Sequence, residues 1–440
     1  MKTNDLHIEL PASKSLSNRW LLLNHILGSR PNGGGLEGGL RPNGGNPEKG
    51  LPFMIRNLSD SDDTQLMAAL LAQLRHGTAD SFYCRNAGTV ARFMLALLAV
   101  TPGHWHLTGD ERLKQRPIEP LIRCLRDMGC DIVCTEAEGH LPVDITGFTP
   151  QFKMAEIDPS ESSQYVSAMM LIGCLLPNGL TLTLTDRAAS RPYIEMTCAV
   201  LTQAGLKNSV SPNRRVYRVE ALPTDILHRQ QVINIEPDWS SASYIYAAAC
   251  LVPGMRIRMP GLSYSHSSQG DRVVKDIFAQ LGVVTQELRS PYRTNTRSIA
   301  ITATGVHPEH FEYNFIDCPD ILPAVLVTCA ALGIRAHLRG IKNLRLKESD
   351  RISALQEELE KMGSVITHSA TEIRLLPAVL NPTQPVGTHG DHRIAMAFGI
   401  LTLRFPDLVI QDPDQVSKSF PEFWRQLDII KKAAKAKTKS

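Results

Sequence analysis

Four polar clusters in the first half of the sequence carry side chains that can hold anionic oxygens. They are Lys14-Ser15 with Arg19, Asn86-Ala-Gly88-Thr89 with Arg92, Ser162-Ser163-Gln164, and Ser190-Arg-Pro-Tyr193. Each cluster stands at the start of a stretch that predicts a helix. The first turn of a helix presents unpaired N–H groups and the positive end of its dipole, which suits phosphate or carboxylate groups. A single Ser or Thr there could be a simple helix cap, but the recurrence favours anion binding.

Further charged residues cluster elsewhere in the chain. They are Arg112, Lys114, Arg116, Arg345, Lys347, Glu348, Asp350, Arg351, His392, Arg393 and Lys418. Arginine forks bind carboxylate or phosphate through two parallel hydrogen bonds, and lysine supplies a compact charge. Glu348 could move a proton or could belong to a solvated helix start, and Asp320 could be a base or only a helix cap. These residues predict a cleft between two halves of the chain that binds a small polyanion, with carboxylates available for proton transfer.

The helices that position these residues recur along the chain. Six segments share a polar cluster, an apolar helical run, a turn and a short strand. They open at Ser13, Asn86, Ser162, Ser240, Asp320 and Asp391, 71 to 80 residues apart. A second helix type alternates with them and often ends in Met-Gly or Leu-Gly, with residues 348–363 as the clearest example. Glycine after the last apolar residue marks a helix end.

Six units with two helices and several strands each predict a repeated α/β protein in two compact halves. We expect one domain at 13–234 and a second at 1–12 plus 235–430, followed by a frayed basic tail at 431–440. The sequence alone does not decide whether the N-terminal strand returns to the second domain. Residues 31–52 contain 12 Gly or Pro in 22 positions, which predicts a long flexible insertion.

Composition excludes several classes of function. Lys and Arg number 47 against 44 Asp and Glu, and five of the lysines lie in the tail, so the body is not basic and nucleic-acid binding is not expected. No run of 18 apolar residues predicts a membrane span, and the first residues do not resemble a signal peptide. Nine cysteines lack the paired spacing of a zinc site. We expect a cytosolic, monomeric enzyme without metal or cofactor.

Nine motifs, in order along nearly the whole chain, resemble those of the 3-phosphoshikimate 1-carboxyvinyltransferase (EPSP synthase) family. They are SKSLSNR (13–19), NAGTVAR (86–92), GDERLKQRPI (109–118), SSQ (162–164), SRPY (190–193), DWSSASY (238–244), LKESDR (346–351), GDHR (390–393) and SKSFPEF (417–423). Each motif alone is weak, and the ordered set is specific.

The resemblance implies the two-domain enolpyruvyl transferase fold. In that fold six repeated βαβαββ units surround pseudo-threefold axes as an inside-out α/β barrel, and the domains close on substrate. It also implies a transferase of the shikimate pathway, which leads to chorismate and the aromatic amino acids. The enolpyruvyl group of phosphoenolpyruvate would move to the 5-hydroxyl of shikimate 3-phosphate by addition and elimination, with release of phosphate.

The resemblance also assigns residues to the two substrates. Those implied to hold shikimate 3-phosphate are Lys14, Ser15, Arg19, Ser162, Ser163, Gln164, Ser190, Asn343 and Lys347. Those implied to meet phosphoenolpyruvate are Lys14, Asn86, Gly88, Arg116, Gln164, Arg351, Arg393 and Lys418. The implied catalytic groups are Glu348 as acid and later base, Asp320 as base on the hydroxyl (and so also in contact with substrate), and Lys347 as a charge stabiliser.

The chain departs from the family pattern in the first repeat. Only 22 residues separate Asp63 from Asn86, a shorter span than is usual, so part of one βαβαββ unit is expected to be missing or rebuilt. Phe93 follows Arg92 where proline is common. These departures put the packing of the first domain in question.

Two rival functions stay open. One is enolpyruvyl transfer to UDP-N-acetylglucosamine, but that family has Lys-Asn where this chain has Lys14-Ser15. It also has a reactive cysteine where Glu111 stands, five residues before Arg116. The other is a non-catalytic binder of phosphorylated metabolites, in which the altered first repeat has cost the activity.

Overall fold

The computed structural model describes residues 5–28, 52–147, 153–222, 231–289 and 297–437. The helices in chain order are α1 (Lys14–Gly28), α2 (Asp62–His76), α3 (Gly88–Ala99), α4 (Glu111–Lys114), α5 (Glu119–Asp127), α6 (Ser163–Gly173), α7 (Arg191–Gln203), α8 (Trp239–Leu251), α9 (Val274–Gln280), α10 (Leu322–Leu332), α11 (Arg351–Lys361), α12 (His392–Gly399) and α13 (Phe423–Lys437).

The strands are shorter than the helices. In chain order they are β1 (Leu6–His7), β2 (Phe53–Arg56), β3 (Ser81–Tyr83), β4 (Gly103–Thr108), β5 (Asp131–Cys134), β6 (Val143–Gly147), β7 (Met154–Ile157), β8 (Leu180–Leu184), β9 (Asn208–Val210), β10 (Val216–Val219), β11 (Gln231–Asn234), β12 (Arg256–Pro260), β13 (Val283–Arg289), β14 (Arg297–Ala303), β15 (His310–Asn314), β16 (Arg335–Arg339), β17 (Val365–His368) and β18 (Glu372–Leu376).

The chain forms two compact units. The N-terminal unit contains Lys14–Ser59 and Asp63–Ile235, and the C-terminal unit contains Met1–Ser13, Asp60–Asp62 and Glu236–Ser440. The boundaries lie one residue later than those expected from the sequence, and 60–62 group with the C-terminal unit.

Two complete βαβαββ repeats form most of the N-terminal unit. The first runs β3, α3, β4, α5, β5, β6, and its sheet has the order β3-β4-β6-β5. The second runs β7, α6, β8, α7, β9, β10, with the order β7-β8-β10-β9. In each sheet the first two strands are parallel and the remaining pairs are antiparallel. Two different stretches of sequence therefore build the same supersecondary unit.

Residue patterns explain which layer each element occupies. Helix α6 is apolar on every face and is almost entirely buried, as a helix must be when it is covered all round. Strand β8 reads Leu-Thr-Leu-Thr-Leu and buries alternate residues, so one face of its sheet covers the core and the other meets solvent. The unit thus has helices inside and sheets outside.

The C-terminal unit repeats this design twice. One repeat runs β15, α10, β16, α11, β17, β18, with the sheet order β15-β16-β18-β17. The other contains α8, β12, α9, β13 and β14, and its fourth strand is β1 from the start of the chain. Leu6 of β1 lies opposite Ile257 in a parallel pair, and Ile8, the residue that follows β1, is fully buried. The N-terminal strand therefore returns to the second half.

The first repeat is incomplete among the described residues. Strand β2 pairs in parallel with β11 in a two-stranded sheet, and the side chain of Asn24 brackets the backbone of Phe53. Helix α2 ends at His76 and β3 starts at Ser81, which leaves no room between them for a strand hairpin. The insertion expected at 31–52 lies outside the described residues, apart from Pro52.

The basic segment at 431–440 is not a separate frayed tail, so that prediction was wrong for the residues described. Residues 431–437 continue α13, since Ile430 is fully buried and Ala433 and Ala434 pack against the core. Residues 438–440 lie outside the described part of the chain. Among the helices that the structure describes, none is long and apolar enough to cross a membrane.

Candidate functional site

The N-terminal unit brings several of the predicted anion-binding residues to helix starts. Lys14 is the first residue of α1, Ser163 the first of α6 and Gly88 the first of α3. Ser162 caps α6 by accepting a hydrogen bond from the backbone N–H of Gln164. The Gln164 amide donates to Thr89 Oγ1 at 2.9 Å, which places the starts of α3 and α6 side by side.

Arg19 joins α1 to two other helices. Its guanidinium donates to Thr197 Oγ1 at 2.8 Å, to Ser167 Oγ at 3.1 Å and to the carbonyl oxygens of Ser15 and Tyr193. Burial, with only 2% of the residue exposed, lowers its pKa to about 10. Arg19 is thus packed between α1, α6 and α7, where it fixes the N-terminal halves of these helices relative to one another.

Gly88 lies against the guanidinium of Arg116. A Cβ atom added at Gly88 would stand 2.6 Å from Arg116 Nη2, closer than such atoms approach. Arg92 donates to the carbonyl oxygens of Gly88 and Pro117, so it ties the two segments together. The absence of a side chain at Gly88 therefore gives Arg116 its position. Asn86 lies in the turn just before α3 and is half-buried.

Ser190 is held in an unusual backbone conformation. It precedes α7 with φ of 54°, in the left-handed region, and its side chain does not cap the helix. Non-glycine residues in that region are uncommon and often occur at functional positions.

Lys14 pairs with Asp63 at 2.8 Å, a partner that sequence reasoning did not identify.

The C-terminal unit gathers five predicted residues into one charge cluster centred on Arg351. The Arg351 guanidinium is 1% exposed and contacts Asp320 Oδ1 at 3.0 Å and Glu348 Oε2 at 2.7 Å. Lys347 Nζ lies 3.5 Å from Asp320 Oδ1, and Arg393 Nη2 lies 2.7 Å from Asp320 Oδ2. The two candidate proton-transfer groups therefore share one arginine.

Asp391 completes this cluster, although sequence reasoning gave it no role. It is fully buried, accepts from Arg351 Nε at 2.8 Å and caps α12 through the backbone N–H of Arg393. An aspartate directly before a helix indicates only a cap, and nothing local in the sequence signals a partner 40 residues away.

The cations of the cluster determine the protonation of Asp320. Burial alone would raise the pKa of this carboxyl, but Arg393, Lys347 and Arg351 together hold it well below its usual range. For Arg351, burial opposes the charged form, and Asp391, Glu348 and Asp320 raise its pKa above the ordinary value. Asp320 and Arg351 are therefore both charged near neutral pH.

The structure moves Glu348 out of the helix in which the sequence placed it. Helix α11 begins at Arg351, because the side chain of Asp350 accepts from the backbone N–H groups of Ile352 and Ser353 and caps it there. Glu348 lies in the preceding turn with its side chain 11% exposed. Asn343 and Lys418 are half-buried and lie in 3-10 helices at Lys342–Leu346 and Pro413–Lys418.

Asp271 is a second carboxylate that sequence reasoning missed. It is 2% exposed, and Ser240 Oγ donates to its Oδ2 at 2.5 Å. Burial and the nearby charge of Asp320 raise its pKa to about 6. It lies in the 3-10 helix Gly270–Val273, and no local pattern in the sequence indicates that it is buried.

The chain is similar in sequence to known proteins. The family model described as EPSP synthase (3-phosphoshikimate 1-carboxyvinyltransferase) matches residues 49–427. Two curated proteins of that name from Bacteroides fragilis strains are 36% and 34% identical over 423 residues, covering 96% of this chain and 94% of each relative. One from Shewanella piezotolerans is 28% identical over 449 residues, covering 96% of both chains.

Solved structures agree on the fold. An EPSP synthase structure from Acinetobacter baumannii has a TM-score of 0.68 at 21% identity and covers 96% of this chain and 94% of the other. The enolpyruvyl transferase NikO from Streptomyces tendae has a TM-score of 0.65 at 15% identity, with the same coverage. The expected enolpyruvyl transferase fold is confirmed.

Proposed function

The chain belongs to the EPSP synthase (3-phosphoshikimate 1-carboxyvinyltransferase) family, and from that premise we propose the reaction that it catalyses. It transfers the enolpyruvyl group of phosphoenolpyruvate to the 5-hydroxyl of shikimate 3-phosphate and releases phosphate. The observation that carries this proposal is the cluster in which Asp320 and Glu348 both bind the guanidinium of Arg351. Two carboxylates among cations are what proton transfer on an anionic substrate requires.

Binding of shikimate 3-phosphate is assigned to groups at the helix starts and to two residues of the C-terminal unit. The residues are Lys14, Ser15, Arg19, Ser162, Ser163, Gln164, Ser190, Asn343 and Lys347. The hydroxyl and N–H groups at the starts of α1, α6 and α7 support this assignment, because they point hydrogen-bond donors and positive dipole ends at one region of the N-terminal unit. Arg19 contributes mainly by holding those three helix starts in register.

Binding of phosphoenolpyruvate is assigned to Lys14, Asn86, Gly88, Arg116, Gln164, Arg351, Arg393 and Lys418. Arg116 beside Gly88 and the pair Arg351 and Arg393 beside Asp320 support it. An incoming phosphate or carboxylate competes with Asp320 for these guanidinium groups, since each arginine has donors in a planar fork that matches such anions.

The chemistry follows from the two carboxylates. Asp320 takes the proton of the 5-hydroxyl while the hydroxyl oxygen bonds to carbon 2 of phosphoenolpyruvate. Glu348, in its carboxylic acid form, gives a proton to carbon 3. The tetrahedral adduct then returns a methyl proton to the Glu348 carboxylate as the bond to phosphate breaks, and the leaving phosphate takes the proton that Asp320 holds. Lys347 stabilises the charge that develops beside Asp320.

The low pKa of Asp320 makes it a weak base in the free protein. Substrate anions on Arg393 and Arg351 would offset the cations that lower this pKa, so the carboxylate becomes a stronger base as substrate binds. Substrate binding and activation of the base are coupled in this way.

The test is phosphate release from phosphoenolpyruvate plus shikimate 3-phosphate. We expect turnover by the parent chain, and a loss of roughly 100-fold to 10,000-fold in kcat for Glu348→Gln and for Asp320→Asn. Release with UDP-N-acetylglucosamine in place of shikimate 3-phosphate would support that rival acceptor instead. Binding of both substrates without release would indicate a non-catalytic binder. The cytosolic location and the monomeric state remain predictions from the sequence.

A further inference from the structure

A strained turn precedes the Asp391 that binds Arg351. The backbone N–H of Asp391 donates to the carbonyl of Thr388 at 2.9 Å, and both residues between them have positive φ, 52° at His389 and 65° at Gly390. Left-handed geometry at both central positions is that of a type I′ turn, which favours glycine and asparagine. A histidine at the first position is strained, because its Cβ atom crowds the backbone in this region. A contact between the His389 side chain and a residue outside the turn offsets this strain.

The contact that does so comes from α11. His389 Nε2 lies 2.8 Å from Glu358 Oε1, and Glu358 is fully buried. Lys361 Nζ lies 2.8 Å from the same oxygen. A buried carboxylate needs such partners, because an unpaired charge away from water is strongly unfavourable. The imidazole of His389 is thus held by a residue that cannot turn to solvent.

Two residues of helix α11 bind residues of the turn region. Arg351, its first residue, binds Asp391, and Glu358, seven residues later, binds His389. Residues seven apart lie on one face of a helix about 10 Å from each other. One rigid helix face therefore fixes both ends of a three-residue segment.

We propose that the pair of Glu358 and His389 positions Asp391, and through it the Arg351 and Arg393 groups that receive phosphoenolpyruvate. His389 and Glu358 are positioning residues and do not touch substrate. The proposal rests on the proposed function, since it assigns these residues to the same reaction.

A metal ion is the competing explanation for this cluster. Oxygen and nitrogen atoms of Glu357, Glu358 and His389 lie within 4.8 Å of one another. The ammonium of Lys361 is 2.8 Å from both carboxylates, so it already lies where a cation would bind. Lys361 offsets one of the two carboxylate charges and lies between them, and a positioning role accounts for the contact between Glu358 and His389.

The experiment compares three variants with the parent. His389→Ala removes the imidazole and leaves a side chain in the strained left-handed conformation, and His389→Gln keeps an N–H donor of similar reach. Glu357→Gln is the matched control, since it removes an exposed partner of Lys361 and leaves the contact between Glu358 and His389 intact. Kinetic constants for both substrates are measured, together with phosphoenolpyruvate affinity by calorimetry without shikimate 3-phosphate, so that no turnover occurs during the titration.

We expect His389→Ala to raise the KM and the dissociation constant for phosphoenolpyruvate roughly tenfold, with KM for shikimate 3-phosphate unchanged. His389→Gln should recover most of the loss, and Glu357→Gln should match the parent. Parent-like constants in His389→Ala, or a fall in kcat with both KM values unchanged, would overturn the proposal. If the parent binds phosphoenolpyruvate but releases no phosphate, the proposed transferase function is wrong, and the dissociation constants from calorimetry still test the positioning role of His389. A parent that does neither overturns both.

Discussion

At the residue scale, Asp320 and Asp271 are two carboxylates of the C-terminal unit whose surroundings drive their pKa values in opposite directions. Three cations hold the pKa of Asp320 below its usual range, whereas Asp271 has a serine donor and is repelled by Asp320. The difference is the number of paired cations, and it leaves Asp320 ionised while Asp271 titrates near neutrality.

Asp271 should make the stability of the protein depend on pH. Its pKa of about 6 in the folded protein lies above its unfolded value, so its contribution to stability is complete below about pH 4 and is lost as pH rises through 6. Asp271→Asn cannot ionise. We expect the free energy of unfolding of this variant, relative to the parent, to increase by up to roughly 3 kcal/mol between pH 4 and 7 in urea titrations.

Ser240→Ala is the control for this effect, since it removes the donor and leaves the titrating carboxylate. It should show a pH dependence at least as large as that of the parent, because the hydrogen bond from Ser240 lowers the pKa of Asp271. A constant difference between Asp271→Asn and the parent across this range would contradict the assignment.

Gly88→Ala tests the close approach of Arg116. The added Cβ forces the end of a flexible side chain to move, so the fold should persist while the anion site changes. We expect KM for phosphoenolpyruvate to rise about tenfold or more, with KM for shikimate 3-phosphate nearly unchanged. Equal changes in both constants would show that the effect is not confined to Arg116.

At the element scale, local pattern predicted the helix starts and the alternating strands, because capping residues and hydrophobic period are written locally. It missed contacts between distant residues. Asp391 reads as a cap, and its bond to Arg351 depends on how α11 packs beside α12. Helix α13 continues past Ile430 because its alanines meet the core, which no local signal in a lysine-rich segment reveals.

The pairing of β1 with β12 predicts that a change near the N-terminus weakens the C-terminal unit. Ile8→Ala should lower the free energy of unfolding by roughly 3 kcal/mol, since it removes a fully buried side chain next to the parallel pair. Hydrogen exchange should speed up in β12 and leave β8 unchanged. His7→Ala, at an exposed position of the same strand, is the control. Faster exchange throughout β8 would contradict this assignment of β1.

At the scale of the whole molecule, the net charge of +3 says little about the binding of anionic substrates. The cations that matter are buried and paired, as with Arg351 and Arg393, whereas exposed charges are screened within about 8 Å at physiological salt. The sequence revealed the charge balance, but the burial that gives each cation its role depends on tertiary packing.

Neutralising exposed lysines of α13 should leave catalysis unchanged. Lys432→Gln combined with Lys435→Gln changes the net charge from +3 to +1, and both residues are exposed. We expect KM values for both substrates within about twofold of the parent. Arg116→Gln, which removes a single buried cation, should raise KM for phosphoenolpyruvate by at least roughly tenfold. A large effect of the lysine pair would mean that long-range attraction guides the substrates.

The return of β1 to the C-terminal unit also orders events on the ribosome. Leu6 leaves the exit tunnel first, but its partner Ile257 is made 251 residues later. At ~5–20 residues per second this is a delay of roughly 10 to 50 seconds. The N-terminal unit, which closes with β11, can fold during that interval while β1 waits unpaired. A two-residue strand offers little edge for other nascent chains to join, so its shortness protects the polypeptide during synthesis.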